Sequence, residues 1–452
     1  MKIILAGCGK VGLSIAEQLV SEKHDIIVID RDPRIADTVG NDLDVFCITG
    51  DAASRDVLNE ADAAEADLLI AVTESDEINL LICLIAKKLG VTNTIARVRN
   101  PIYVDDIALI KEDMGLSMFI NPEMSAAREI SRILRCPAAT RVETFAKGRV
   151  ELFTCVVREQ SVLDGLLVKD VQDAVKCRVL ICGVRRENEV FIPSGSFCLQ
   201  AGDTITFVTP YRDSNAFFKR IGEDPSPVKR VIINGGGRLT YYLARIILDA
   251  GMSVKIVEHD RARCEELDEL LPDATLIHGD ATKTALLSEE GLADADAVVN
   301  LTGIDEQNAL LSQYVSEKYP DCKVVTKVKH SDFEEMFQHM KVGSLINPKH
   351  LTADSIIRYV RAMHNASSSD IVAMHHIMDG GAEALEFRVQ ADQSFLGQPS
   401  ETLHIKKNVL LASINRKGNL FTPSGKDTIE AGDTVIAVTL LDGVASIHDL
   451  FE

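Results

Sequence analysis

Short apolar runs alternate with amphipathic stretches from the start of the chain. Residues 3–6 form a run that predicts a buried strand, 11–21 carry apolar residues at helical spacing, and 25–29 predict a second strand. Strands follow at 45–48 and 67–73, a helix at 77–89, a fifth strand at 94–98 and a helix at 105–114. Residues 121–134 predict one more helix, opened by Asn121-Pro122, a good N-cap and first-turn pair. Strands apolar on both faces that alternate with helices predict a parallel sheet covered on both sides. The pattern then changes. Runs at 149–156, 178–184, 189–192 and 203–208 are separated by Pro193-Ser-Gly195 and Ala201-Gly-Asp203 and predict a small strand-rich part.

The whole pattern occurs twice. Gly7-Cys8-Gly9-Lys10 matches Gly235-Gly236-Gly237-Arg238 at an offset of 228, and Ile29-Asp30 matches Val257-Glu258 at the same offset. Gly50-Asp51-Ala52 matches Gly279-Asp280-Ala281 at 229, and Ile120-Asn121-Pro122 matches Ile346-Asn347-Pro348 at 226. Pro193-Ser-Gly195 and Ala201-Gly-Asp203 recur as Pro423-Ser-Gly425 and Ala431-Gly-Asp433 at 230. The drift of four residues over the length means one complete copy per half, not a short-period solenoid. The second strand-rich part falls at 383–389, 409–414, 419–421 and 433–438. Residues 224–227, Asp-Pro-Ser-Pro, read as the linker between the halves, and the Ser-rich 365–370 as a weaker boundary.

Composition narrows the class. With 452 residues, 46% hydrophobic and 26% charged, the chain has material for several buried cores. The longest strictly apolar run, 80–86, has seven residues, against about twenty for a membrane helix. Four apolar residues between Lys2 and Gly7 are too few for a signal peptide. Lys plus Arg is 48 and Asp plus Glu 68, so the net charge is −20, which argues against nucleic acid as a partner and gives anionic lipid no polybasic handle. Ten cysteines without a Cys-x-x-Cys pair read as reduced thiols in a cytoplasmic protein. His364, His375 and His376 lack a second cluster at zinc spacing and read as ordinary histidines.

Gly7-x-Gly9-x-x-Gly12 lies between a predicted strand and a predicted helix, and Asp30 ends the next strand eighteen residues after Gly12. Such glycines shape the turn, let phosphate approach the backbone and let the helix pack close to the sheet; the helix N-terminus supplies free N–H groups. The fold class expected is α/β: two Rossmann-like parallel-sheet domains at 1–135 and 228–363, each followed by a small α+β C-terminal domain at 140–222 and 370–452. The loop itself, Gly7, Cys8, Gly9, Lys10, Val11 and Gly12, is assigned to phosphate binding. Asp30 is assigned to the ribose hydroxyls, where it would repel a 2′-phosphate and favour NAD or ATP over NADP. Asp51 and Ala52 lie at the end of the third strand on the adenine side, and Thr73 at the end of the fourth near the phosphates or second ribose. Arg97 and Arg99 share one strand face suited to phosphate or an acidic surface, with Lys327 and Lys329 in the second copy. The second copy offers Gly235, Gly237, Arg238, Glu258 and Asp280, but has Thr240 where the first has Gly12.

The combination of the glycine loop, VID ending at Asp30, TGDA at 49–52, SDEIN at 75–79, ARVRNP at 96–101, INPE at 120–123 and the Pro-Ser-Gly…Ala-Gly-Asp pattern resembles the RCK, or KTN, family of potassium-conductance regulators with their small TrkA-C domains. The resemblance spans nearly the whole chain. It implies a non-enzymatic regulatory subunit in the cytoplasm, peripheral on the inner face of the cell membrane. It also implies NAD(H), with ATP or ADP as the alternative, setting the shape of a homo-oligomeric ring, dimer or tetramer. The implied partner is a separate membrane-embedded Trk potassium-transporter subunit of the TrkH or TrkG type. In single-copy relatives a glutamate like Glu123 resembles a cation-binding residue; Lys349 replaces it in the second copy, and an acid at a helix N-terminus is the plainer reading. The rival readings are an NAD-dependent oxidoreductase with a duplicated cofactor domain and a nucleotide-stabilised scaffold. The strand-rich parts show no His or Lys arranged as the general acid that a dehydrogenase needs.

Overall fold

The computed structural model describes residues 1–111, 113–145, 150–187, 189–223, 226–330, 333, 336–337, 340–365, 371–378, 381–391, 393, 395–441, 443–444 and 446–451. The expected linker at 224–227 lies partly, and the boundary at 365–370 almost wholly, outside the described residues.

The first copy runs β1 (Lys2–Ala6), α1 (Lys10–Ser21), β2 (Asp25–Asp30), α2 (Pro33–Leu43), β3 (Phe46–Thr49), α3 (Arg55–Glu60), β4 (Leu68–Ala71), α4 (Asp76–Leu89), β5 (Asn93–Arg97), α5 (Pro101–Ile110), β6 (Met118–Ile120) and α6 (Pro122–Arg135). Its strands pair in the order β3-β2-β1-β4-β5-β6, all parallel. This is the doubly wound order, whose switch point between β1 and β4 opens a crevice at the carboxyl ends of the strands. Ile3, Ile4 and Leu5 are wholly buried at the centre of the sheet. The following part holds β7 (Arg141–Phe145), β8 (Val150–Val156), α7 (Val171–Val175), β9 (Leu180–Arg186), β10 (Glu189–Phe191), β11 (Thr204–Val208) and α8 (Tyr211–Arg220), with an antiparallel sheet ordered β10-β9-β11-β8-β7.

The second copy repeats this. β12 (Arg230–Asn234), α9 (Arg238–Asp249), β13 (Ser253–Glu258), α10 (Arg261–Leu270), β14 (Thr275–His278), α11 (Thr284–Glu289), β15 (Ala297–Asn300), α12 (Asp305–Lys318), β16 (Lys323–Lys327), β17 (Ser344–Ile346) and α13 (Pro348–Asn365) build a parallel sheet in the order β14-β13-β12-β15-β16-β17. Its antiparallel partner contains β18 (Ile371–Ile377), β19 (Ala382–Arg388), β20 (Val409–Arg416), β21 (Asn419–Phe421) and β22 (Thr434–Thr439). Among the described residues no helix is long and apolar enough to cross a membrane.

Several elements were invisible to the apolar pattern. In α2 only Ala36 and Val39 are buried, so periodicity is faint; the helix is set by Asp32, whose side chain accepts from Arg34 N, and by Pro33. The helix expected at 105–114 begins at Pro101 instead, because Asn100 caps it by accepting from Ile102 N at 3.1 Å. β6, β7, β17, β18 and α8 were also absent from the expectation.

The chain forms two compact units, Met1–Ser131 with Lys229–Ile357, and Arg132–Val228 with Arg358–Glu452. In the first, Tyr242 of α9 donates its hydroxyl to Arg99 O at 2.8 Å and accepts from Asn121 Nδ2 at 3.1 Å, joining the two parallel-sheet copies. In the second, one apolar cluster takes Phe145, Leu152 and Cys182 from one antiparallel sheet and Ile377, Ala384 and Ile436 from the other.

The parallel sheets differ inside. Ala6, Ala71, Cys83 and Ala96 of the first copy are wholly buried apolar groups. The second has Asn234, Asn300, Ser312 and Thr326 at these places, also wholly buried. They form a chain: Asn234 Nδ2 donates to Asn300 Oδ1 (2.7 Å), Asn300 Nδ2 to Ser312 Oγ (2.7 Å), and the Ser312 and Thr326 hydroxyls meet at 2.6 Å.

Candidate functional site

Each crevice starts with a glycine that only glycine can be. Gly7 has φ +92°, and a Cβ there would lie 2.9 Å from Thr73 N; Gly235 has φ +100°, with Thr302 N at 3.0 Å. These positions bring the loop against the end of β4 or β15. Gly9 and Gly237 are the N-caps of α1 and α9, with no side-chain cap, and a Cβ at either would meet nothing within 4 Å. Each helix therefore presents uncapped N–H groups to open space, the arrangement an anionic phosphate needs. The neighbouring α2 and α10, by contrast, are capped by Asp32 and Asp260.

The third glycine separates the copies. A Cβ at Gly12 would stand 2.2 Å from Gly7 O, so α1 packs directly on its own loop. Thr240 is wholly buried and its hydroxyl donates to Gly235 O at 2.5 Å. The Thr240 side chain is accommodated where a Cβ at Gly12 would strike the loop carbonyl.

The acids do more than the sequence showed. Asp30 Oδ2 accepts from Cys8 N at 2.6 Å and Oδ1 from Asp32 N at 2.9 Å, tying the glycine loop to the end of β2. Glu258 repeats both bonds, to Gly236 N at 2.5 Å and Asp260 N at 2.8 Å. Glutamate is one methylene longer, and the loop compensates. A Cβ on Gly236 would meet Glu258 Cγ at 3.0 Å and Leu267 Cδ1 at 2.8 Å, so the place where Cys8 has a side chain is filled by Glu258 and Leu267. Asp30 is half-buried, whereas Glu258 is buried, paired with His259 Nδ1 at 2.6 Å. Arg263 donates to Gly236 O at 2.7 Å over the same spot. The Cys8 thiol is pushed up to about 12, by burial first and then by Asp30, so it stays protonated at neutral pH.

Asp51 pairs with Arg31 at 2.6 Å and accepts from Ala53 N, which holds its carboxyl below the usual range through the Arg31 hydrogen bond first. Ala52 is buried beside it. Asp280 instead accepts from Thr282 N and Oγ1, at 2.9 and 2.7 Å. Thr73 lies two residues beyond β4. Its N and Oγ1 both donate to Asn79 Oδ1, at 2.8 and 2.6 Å, and Asn79 Nδ2 donates to Thr73 O and Arg97 O. Thr302, Asn308 and Lys327 repeat this network. Asn79, within the SDEIN stretch at 75–79, and its counterpart Asn308 are each wholly buried; the sequence marks them by their recurrence in both copies but does not assign them to the site. Asp76 and Asp305 likewise clamp the strand-end backbone at Arg99-Asn100 and Lys329-His330.

Two cations line the crevice floors. Arg97 is buried and donates to Thr73 O at 2.5 Å; burial, then Arg99, pushes it down to about 10. Lys327 donates to Leu301 O at 2.6 Å, and burial, then Lys329, pushes it down to about 8. Val11 follows Lys10 in the first turn of α1, and Lys10 Nζ reaches across to His330 Nε2 at 3.3 Å. The equivalent Arg238 is exposed.

The TrkA-N domain model matches residues 3–122 and 231–348, and the TrkA-C domain model matches 152–222 and 384–452. A Trk system potassium uptake protein TrkA homolog of Archaeoglobus fulgidus is 32% identical over 451 residues, covering 100% of both chains. The crystal structure of the GsuK RCK domain superposes with a TM-score of 0.63 at 16% identity, over 97% of this chain and 92% of that one. The GsuK channel bound to NAD gives 0.62 at 16% identity, over 97% and 76%. Both structures share the fold.

Proposed function

The chain belongs to the family of Trk system potassium uptake proteins TrkA, and on that premise we propose that it is a nucleotide-binding regulatory subunit of a Trk-type potassium transporter, with no catalytic step of its own. The observation that carries this reading is the pair of uncapped helix N-termini at Gly9 and Gly237, each facing open space at a sheet switch point.

In the first copy NAD(H) lays its diphosphate on the backbone of residues 7–12, and Asp30 accepts from the ribose hydroxyls with the lone pairs left beside its two backbone bonds. Asp51 and Ala52 flank the adenine side, and Thr73 and Arg97 the far side. In the second copy Gly235, Gly237, Arg238, Glu258 and Asp280 occupy the equivalent places. NAD(H) and ATP or ADP compete to set the state of a homo-oligomeric ring, dimer or tetramer, docked in the cytoplasm on the inner face of the membrane against a TrkH- or TrkG-type subunit. The loop of one copy touches the other through Lys10 and His330, so ligand at one site acts on the relation between copies. The work available is the difference in ligand affinity between ring states, not the affinity itself.

The test is potassium flux into vesicles carrying the transporter, with and without this chain. Flux should respond to NADH or ATP only when the chain is present, and Gly9→Val together with Gly237→Val should abolish the response. Flux indifferent to both nucleotides sinks the proposal. A steady loss of NADH absorbance with one metabolite, abolished by Gly9→Val, replaces it with an oxidoreductase.

A further inference from the structure

Away from both glycine loops, a cleft of about 160 Å³ opens on the seam between the parallel-sheet copies. One side is β6 and the first half of α6, from the first copy; the other is α13, from the second, at Thr352 and Ser355. Much of the lining is apolar. Met118, Phe119 and Met124 are only partly buried, and Phe119 and Met124 are held in place by packing on the core of the first sheet.

The polar groups of the lining are of two kinds. Asn121 and Thr352 are buried and engaged: Asn121 Nδ2 donates to Tyr242 Oη at 3.1 Å, its Oδ1 accepts from Met124 N at 2.9 Å, and Thr352 Oγ1 donates to Pro348 O at 2.8 Å. Ser125, Arg128 and Ser355 are not engaged: among the described residues their side chains make no hydrogen bond or ion pair. Two acids neighbour them on the helices, Glu129 and Asp354. Neither lines the cleft; Glu129 is buried, and Asp354 accepts from Gln18 Nε2 at 3.5 Å. Arg128 is thus the charged side chain of the lining. The fold does not demand this set. The second copy builds the same strand and helix, β17 and α13, with Ser344 in place of Met118, His350 of Met124, Leu351 of Ser125 and Asp354 of Arg128, and keeps the Asn-Pro pair that starts the helix.

We propose that this cleft binds a small organic carboxylate, its apolar body among Met118, Phe119 and Met124 and its charge held by Arg128 with the Ser125 and Ser355 hydroxyls. A cavity of about 150 Å³ takes one benzene ring, so the body is a single ring or a branched chain of that size. A guanidinium meets a carboxylate with two parallel N–H groups, and a mostly apolar lining with a few polar groups is the usual make-up of a small-molecule site. The ligand touches both copies, so its binding favours the arrangement in which the seam held by Asn121 and Tyr242 is closed. Neither glycine loop contributes to the lining, so the site stands whether or not nucleotide binds.

The experiment is fluorine NMR titration of para-fluorobenzoate with the full chain, in the wild type and in Arg128→Asp, Arg128→Lys and Ser355→Leu. The wild type should bind it saturably, and bind the neutral para-fluorobenzamide about tenfold more weakly. Arg128→Asp should weaken the benzoate by about tenfold or more, and Arg128→Lys, which keeps the charge without the paired donors, should fall between. Ser355→Leu, which fills the cleft, should weaken benzoate and benzamide alike. Inorganic phosphate, which has no apolar body, should not displace the benzoate. Urea unfolding checks that each variant is folded, and the benzamide comparison decides the matter on the wild type alone. Benzoate affinity equal in a folded Arg128→Asp and wild type, benzamide binding as tightly as benzoate, displacement by phosphate, or no saturable binding to the wild type each overturns the inference.

Discussion

The two crevices share a backbone and a strand-end network of threonine, asparagine and aspartate, and differ where the glycine loop meets its acid and its helix. Asp30 with Cys8, and Glu258 with Gly236, make the same pair of backbone bonds, one with a short acid and a filled loop, the other with a long acid and an empty one. Gly12 brings α1 onto Gly7 O, where Thr240 makes a hydrogen bond to Gly235 O. The first acid stays half-open and the second is closed in by His259 and Arg263. Duplication kept the hydrogen bonds that hold the loop shape and released the positions that decide what lies against it.

The sharpest way to break this comparison is at the third loop position. Gly12→Ala should cost about 3 kcal/mol of stability, because the added Cβ meets backbone that cannot step aside. Thr240→Ala should cost about 1 kcal/mol, the net worth of one hydrogen bond. Urea unfolding measures both; equal shifts would mean that α1 and α9 stand alike. Next come the ligand sites. Gly9→Val should weaken NADH roughly a hundredfold, about 2.8 kcal/mol, while Gly237→Val leaves the tight dinucleotide site in place. The reverse result in NADH titrations exchanges the roles of the copies. Asp30→Ala should weaken NADH by about 2 kcal/mol, the loss of charge-assisted bonds to ribose, and narrow the preference over NADPH. Calorimetry with both dinucleotides checks this, and unchanged affinities remove Asp30 from the site.

The smallest effect is in pH. Lys327 is held near 8 by burial and Lys329, against Asp305 and Glu123, which pull it up, whereas Arg97 is held near 10. An anion prefers the protonated lysine. ATP affinity at the second crevice should therefore be level below about pH 7 and fall to about half by pH 8 and about a quarter by pH 8.5, with proton uptake on binding. NADH at the first site should stay level over this range. Titrations in buffers of different ionisation enthalpy read the proton directly; a loss of ATP affinity on lowering the pH contradicts the sign.

The buried strands were legible because a strand covered on both faces must be apolar along its length, as in β1, β2 and β4. The glycine loop was legible because its geometry admits so few residues. α2 hid because Asp32 and Pro33, not apolar periodicity, decide where it starts. The Asn100-Pro101 start of α5 was passed over although the same dipeptide was recognised at Asn121. β6 and β17 have only three residues each, too few to show any period. The buried chain from Asn234 to Thr326 reads as four scattered polar residues until the sheet brings them together.

The interleaving of the two compact units has a consequence for synthesis. Residues 1–131 belong with 229–357, so the first unit is incomplete until 226 further residues have followed residue 131. At about 5–20 residues per second, the ribosome takes roughly 10–45 s to deliver them. During that interval the surface around Arg99 and Asn121, later covered by Tyr242, stands open on the nascent chain. A second ribosome on the same message carries the same open surface, and a neighbouring chain can occupy it before the chain's own second half emerges.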